Sequence, residues 1–107
     1  MSTPRLYFAT RTDLSEGRRA AQLIHAMDQW SARFGPQLGT VIIYGLPNEE
    51  QLLAAYAALG EGKTAIFREP DLDFQATAFA TDQGPLDLPL LGRKQKRQSY
   101  ELRMEVA

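Results

Sequence analysis

Two kinds of stretch alternate along this chain. Short apolar bursts are bounded by turn residues, and longer segments repeat their apolar positions every three or four residues. The first burst, "RLYFAT" at residues 5–10, predicts a strand rich in aromatic and apolar side chains. "RTDLSEG" then turns the chain, and the period changes. At roughly 100° per residue, Ala20, Leu23, Ile24, Met27, Trp30 and Phe34 form one apolar stripe. Arg18, Gln22, His25, Gln29 and Arg33 fall on the opposite side. This predicts an amphipathic helix that ends at Gly35-Pro36. Asp13 with Glu16 fits a capping box at its start, and Ser15 is a rival cap.

"GTVIIYG", residues 39–45, is a nearly unbroken β-branched run of the kind covered on both faces. Pro47 and Asn48 open a second helix, with Gln51 completing a cap. Leu52, Tyr56 and Leu59 recur at i, i+4 and i+7, and Gly60 and Gly62 supply the stop. "TAIF", residues 64–67, and "ATAFAT", residues 76–81, are two further strands. The acidic loop "REPDLDFQ" between them is too short for a crossover helix, so they pair antiparallel or sit apart in a mixed sheet. After the Pro- and Gly-punctuated "DQGPLDLPLLG" and the basic "RKQKR", residues 99–106 alternate strictly. That is the pattern of a half-buried edge strand or hairpin arm.

The predicted order is β-α-β-α-β-β with an extra C-terminal strand. It implies a single α/β domain over residues 1–107, with a mixed four- to five-stranded sheet and helices packed on its faces. The core spans about 5–91, and the basic tail or strand spans 93–107. In such sheets ligands gather at the carboxyl ends of strands. The first strand leads there into Arg11 to Arg18, and the third into Glu69, Asp71 and Asp73.

Composition narrows the chemistry. The formal charge is -1 over 107 residues, so the domain-wide basic field of a typical nucleic-acid binder is absent and any such contact needs a local patch. With no cysteine and one histidine, the chain has no thiolate nucleophile, no disulfide and no histidine-rich metal site. No apolar run approaches the roughly 20 residues that cross a bilayer, and the first residues carry no signal-peptide core, so the cytoplasm is the expected compartment. No metal or cofactor is expected.

Three stretches could carry function. Arg18, Gln22 and His25 share one side of the first helix. Arg18 with the free N–H groups of the helix start could meet a phosphate, or the stripe could simply be the wet face of the helix. Glu69, Asp71 and Asp73 could split into an acid and a base, or form an acidic turn fixed by Pro70 and capped by Asp71. Arg68, Arg18 and Arg19 could complement these acids across a cleft. Arg93, Lys94, Lys96 and Arg97 could touch a phosphate backbone or form a solvated linker. "GEGKT" is not a phosphate-binding loop, because it precedes a strand and Ala57 stands where the first glycine is needed.

The sequence "RTDL…GRRAAQLIHA", then "TVIIYGLPNEEQLLAAY", then "REPDL…ATAFAT" resembles the type-two peptidyl-tRNA hydrolases over residues 6–81. That family carries Gly-Lys-x-Ala-Ala-Gln-x-x-His-Ala on its first helix, after a strand ending in Arg-x-Asp-Leu. Here the pattern runs from Gly17 to Ala26. The resemblance implies hydrolysis of the ester between peptide and tRNA ribose, with tRNA as partner. By position it assigns catalytic roles to Arg18, Asp71, Thr77 and His25. Gln22, Arg19, Glu69, Arg93, Lys94 and Lys96 become substrate-binding candidates. Three departures stand out. Arg18 replaces a lysine and cannot release a proton at neutral pH. "EPDLDFQAT" replaces the family's Asp-Ala-Gly-Arg-Thr-Gln loop. "GRKQKRQSYELRMEVA" replaces its C-terminal helix. A non-catalytic tRNA- or RNA-binding module that retains the fold is the alternative. Pairing of the last strand between two copies would give a homodimer under either reading.

Overall fold

A computed structural model describes residues 5–36, 39–86 and the backbone of 99–103. The elements follow the predicted order: β1 (Arg5–Arg11), α1 (Glu16–Phe34), β2 (Thr40–Leu46), α2 (Glu49–Ala57), β3 (Thr64–Glu69), β4 (Gln75–Thr81) and β5 (Ser99–Arg103). A single 3-10 turn, Pro70–Leu72, sits between β3 and β4. The strands form one mixed sheet in the order β3-β4-β1-β2-β5. β1 and β2 are parallel, whereas β4 runs antiparallel to β1 and to β3, and β5 antiparallel to β2. The β3–β4 connection is thus the antiparallel one that its length requires. The alternating C-terminal segment forms an edge strand, with its last predicted positions, 104–106, outside the described residues.

Strand alternation sorts the core into two layers. Leu6 and Phe8 of β1 join Val41, Ala26 and Trp30 in the layer under α1. Tyr7 and Ala9 join Tyr44, Leu46, Leu52 and Ala55 in the layer under α2. Three alanines, Ala65, Ala78 and Ala80, share the first layer with fully buried Trp30, so small residues on the sheet accompany the largest side chain on the helix.

Ser15 caps α1 and Asn48 caps α2. Each side-chain oxygen accepts from the backbone N–H three residues on. Asp13 is not the α1 cap, because its carboxylate is held by Arg11. Gly35, at φ +86°, ends α1 and returns its N–H to Ser31. The second helix stops before its glycines: Ala58 is its C-cap, and the Leu59 N–H closes on the Tyr56 carbonyl.

One prediction about α1 needs correction. Leu23, Met27, Trp30 and Phe34 of the predicted stripe do pack in the layer under α1, but Ala20 and Ile24 are exposed, and Gln22 and Ala26 are buried in their place. Gln22 is 4% exposed and Ile24 68% exposed. Arg18, His25, Gln29 and Arg33 do face solvent. A polarity wheel places every glutamine on the wet side; here a buried partner on β4 reverses that.

Candidate functional site

The strand directions bring several segments to one end of the sheet. β1 and β2 finish there, β4 begins there, and the turn from β3 arrives there. Both helices start at the same end, from the loops that leave β1 and β2. This is the strand-end location expected for a ligand in an α/β sheet.

The start of β4 holds an irregularity. Phe67 pairs with Ala78, but Arg68 pairs with Ala76, so Thr77 is the extra residue of a β-bulge. A regular strand would send Thr77 and Ala78 to opposite faces. The bulge turns Thr77 towards α1, on the side where Ala78 also packs. Its hydroxyl donates to Gln22 Oε1 at 2.7 Å, and its carbonyl accepts from the Thr10 hydroxyl at 3.0 Å. Thr10, Gln22 and Thr77 are all buried, and these bonds offset the cost of removing their polar atoms from water. The Gln22 amide nitrogen makes no hydrogen bond among the described residues and keeps two N–H donors free.

A second polar group lies on the α2 side. Arg11, 7% exposed, makes a two-pronged contact with Asp13 at 3.0 and 2.8 Å. It also donates to Gln75 Oε1 at 2.9 Å and to the Ala76 carbonyl at 3.2 Å. The Ala76 N–H donates to Glu49 Oε2 at 2.7 Å. The hydrogen bond to Asp13 raises the pKa of Arg11, burial opposes it, and the charges of Asp13 and Glu49 add to the rise. Arg11 is therefore a fixed cation whose donors are spent on the fold. Sequence reasoning placed it at the strand end but gave it no role, although the Arg-x-Asp spacing there was its signal. Thr10 was also missed; its signal was a lone hydroxyl at the end of an apolar strand.

The remaining candidates are more open. Arg18 is exposed on the first turn of α1, and its backbone N–H is held by Ser15. His25 is exposed and stacks on Phe67 of β3, with ring centroids 4.6 Å apart and planes 21° from parallel. Asp71 and Asp73 are exposed and Glu69 is half-buried. Glu69, not Asp71, caps the turn, accepting from the Asp71 N–H at 3.4 Å. Asp73 and Phe74 both take left-handed backbone, at φ +58° and +59°, and Phe74 is 63% exposed. Arg68 donates to the Phe74 carbonyl instead of meeting an acid. Arg11–Asp13 is the one ion pair among the described residues, so no cleft-spanning pair joins Arg18 or Arg19 to the acidic turn. Arg93, Lys94, Lys96 and Arg97 lie outside the described residues.

Beside the Thr10–Thr77–Gln22 group is an open cavity of about 310 Å³ lined by Thr10, Glu16, Arg19, Ala20, Leu23 and Ile43. The Arg19 Nε is buried and has no hydrogen-bond partner among the described residues. No cluster of three potential metal ligands occurs among the described residues. No described helix is long and apolar enough to cross a membrane. Neither a protein-family model nor a curated protein matches this chain.

Proposed function

We propose that this chain hydrolyses the ester that joins a peptide to the terminal ribose of tRNA. The observation that carries the reading is the buried bond from Thr77 to Gln22. It joins, across 55 residues, the two parts of the sequence that resemble such hydrolases: the signature helix and the threonine opening the fourth strand.

The reaction adds water to the acyl carbon and breaks its bond to the ribose oxygen, and a proton from water ends on that oxygen. Thr77, fully buried, donates its hydroxyl to Gln22 Oε1 and so fixes which way the Gln22 amide is turned. The Gln22 amide N–H groups are the donors for the negative charge that develops on the carbonyl oxygen. Arg18, beside the start of α1, holds phosphate or adds to that stabilisation as a permanent cation. Asp71, on the turn at the same end of the sheet, supplies the base. His25, flat against Phe67, presents an edge to the same helix flank. The setting that goes with this substrate is the cytoplasm.

The test is hydrolysis of purified peptidyl-tRNA by the wild-type chain and by Thr77→Val and Asp71→Ala. Turnover that is strongly reduced in both variants is expected. A wild-type rate equal to the spontaneous rate would sink the enzyme reading.

One observation favours a second reading, a tRNA-binding module without turnover: Asp71 makes no hydrogen bond or ion pair with Arg18, Gln22 or Thr77 among the described residues. That reading expects salt-dependent tRNA binding with the ester left intact.

A further inference from the structure

We infer that the cavity beside Thr10 is a subsite for a peptide segment and takes one apolar side chain of it. The inference rests on the hydrolase reading for its place in the reaction, where it would hold the peptide half of the substrate.

Three features of the cavity point to that ligand class. Its walls are mostly apolar, formed by Ala20 and Leu23 of α1 and Ile43 of β2. Its volume of about 310 Å³ is at the low end for small-ligand pockets, enough for one amino-acid side chain and its flanking backbone. Its polar groups are balanced. Arg19 is a donor and Glu16 an acceptor, on the same helix three residues apart, and no ion pair joins them. A free phosphate or carboxylate would meet Glu16 as a like charge. A neutral amide, with one C=O to accept and one N–H to donate, matches both.

Arg19 carries a second, independent sign. Its Nε is buried without a partner among the described residues, although a guanidinium donor left so is costly. A peptide carbonyl in the cavity would satisfy it only as the Arg19 side chain turns its Nε outward on binding. Thr10 connects the cavity to the reacting centre, since it lines the cavity and also donates to Thr77.

Ile24 extends the same surface. It follows Ala20 by four positions and so shares its side of the helix, yet it is 68% exposed. The sequence marks Ala20, Leu23 and Ile24 as core. Leu23 does pack against the layer under α1, whereas Ala20 and Ile24 are exposed and carry an apolar strip on from the cavity, which suits the next residue of an extended peptide.

The experiment has a binding arm and a turnover arm. The first is an NMR titration of the wild-type chain with N-acetyl-leucinamide, N-acetyl-glycinamide and N-acetyl-glutamic acid amide. Saturable shifts at Arg19, Leu23 and Ile43 are expected for the leucine compound, with the glycine and glutamate compounds roughly tenfold weaker or more. Ala20→Phe, which fills the cavity from an exposed helix position, should abolish the shifts. Equal responses to all three compounds, or none at these residues, would overturn the subsite without requiring any variant to fold. The second arm compares peptidyl-tRNAs whose esterified residue is leucine or glycine. Preference for leucine by about tenfold in kcat/KM supports the inference, and equal kcat/KM overturns it while leaving the hydrolase reading intact. Absence of turnover from both rejects the hydrolase reading and with it the subsite's place in the reaction, whereas the titration still decides the ligand class.

Discussion

Two adjacent residues, Ala76 and Thr77, are held in opposite ways. Ala76 is fixed on the α2 side by charge: its carbonyl accepts from Arg11 and its N–H donates to the Glu49 carboxylate. Thr77 is fixed on the α1 side by neutral groups: its carbonyl accepts from Thr10 and its hydroxyl donates to Gln22. The charged group spends its donors on the fold, with Arg11 meeting Asp13, Gln75 and Ala76 at once. The neutral group keeps the Gln22 amide donors in hand. Of these two groups the charged one is scaffolding, and the neutral one leaves the Gln22 amide donors unspent among the described residues.

Substitutions on each side should separate these roles. The largest effect is expected for Gln22→Leu, which removes the free amide donors and leaves the Thr77 hydroxyl without its acceptor. Peptidyl-tRNA hydrolysis should fall roughly 100-fold, and urea denaturation should show a loss of about 1–3 kcal/mol. Wild-type turnover in this variant would break the comparison. Arg11→Leu should cost about 2–3 kcal/mol by the same measurement, because it strips the buried start of β4 of its donors. Its turnover per folded molecule should match wild type, and a selective loss of activity would move Arg11 into the reacting centre. Glu49→Gln keeps a hydrogen-bond acceptor for the Ala76 N–H but removes its charge, and should cost about 1 kcal/mol in chemical denaturation. The smallest effect is expected at the turn that feeds the bulge. Phe74 holds φ +59° with little packing in return, and Phe74→Asn should raise stability by roughly 0.5–1 kcal/mol in thermal denaturation.

Periodicity gave the order of the elements up to β4 because each one is a local pattern. Turn chemistry placed the ends where a single residue decides them, as at Asn48 and Gly35. The orientation of α1 was less legible. Gln22 reads as solvent-facing because the partner that buries it stands 55 residues away, and no local rule counts it. Ile24 reads as core because the wheel does not show where the sheet stops. Asp13 reads as a cap because nothing in the local spacing tells that Arg11 takes its carboxylate. Within the candidate site, Arg18, Gln22, His25 and Thr77 were found by motif. Thr10 and the cavity were not, because they depend on which strands become neighbours and on a bulge that leaves no mark in composition.

That bulge makes the contact between Thr77 and Gln22 depend on a count of residues. Deleting any one position from 75–77 would let β3 and β4 pair in regular register, with the hydrophobic pattern almost unchanged. The residue before Ala78 would then point to the α2 side. A single lost codon could therefore leave the fold standing and disconnect the signature helix from the strand. Two chains of this architecture could match at every aligned letter, differ by a single gap here, and yet differ in whether Thr77 meets the first helix.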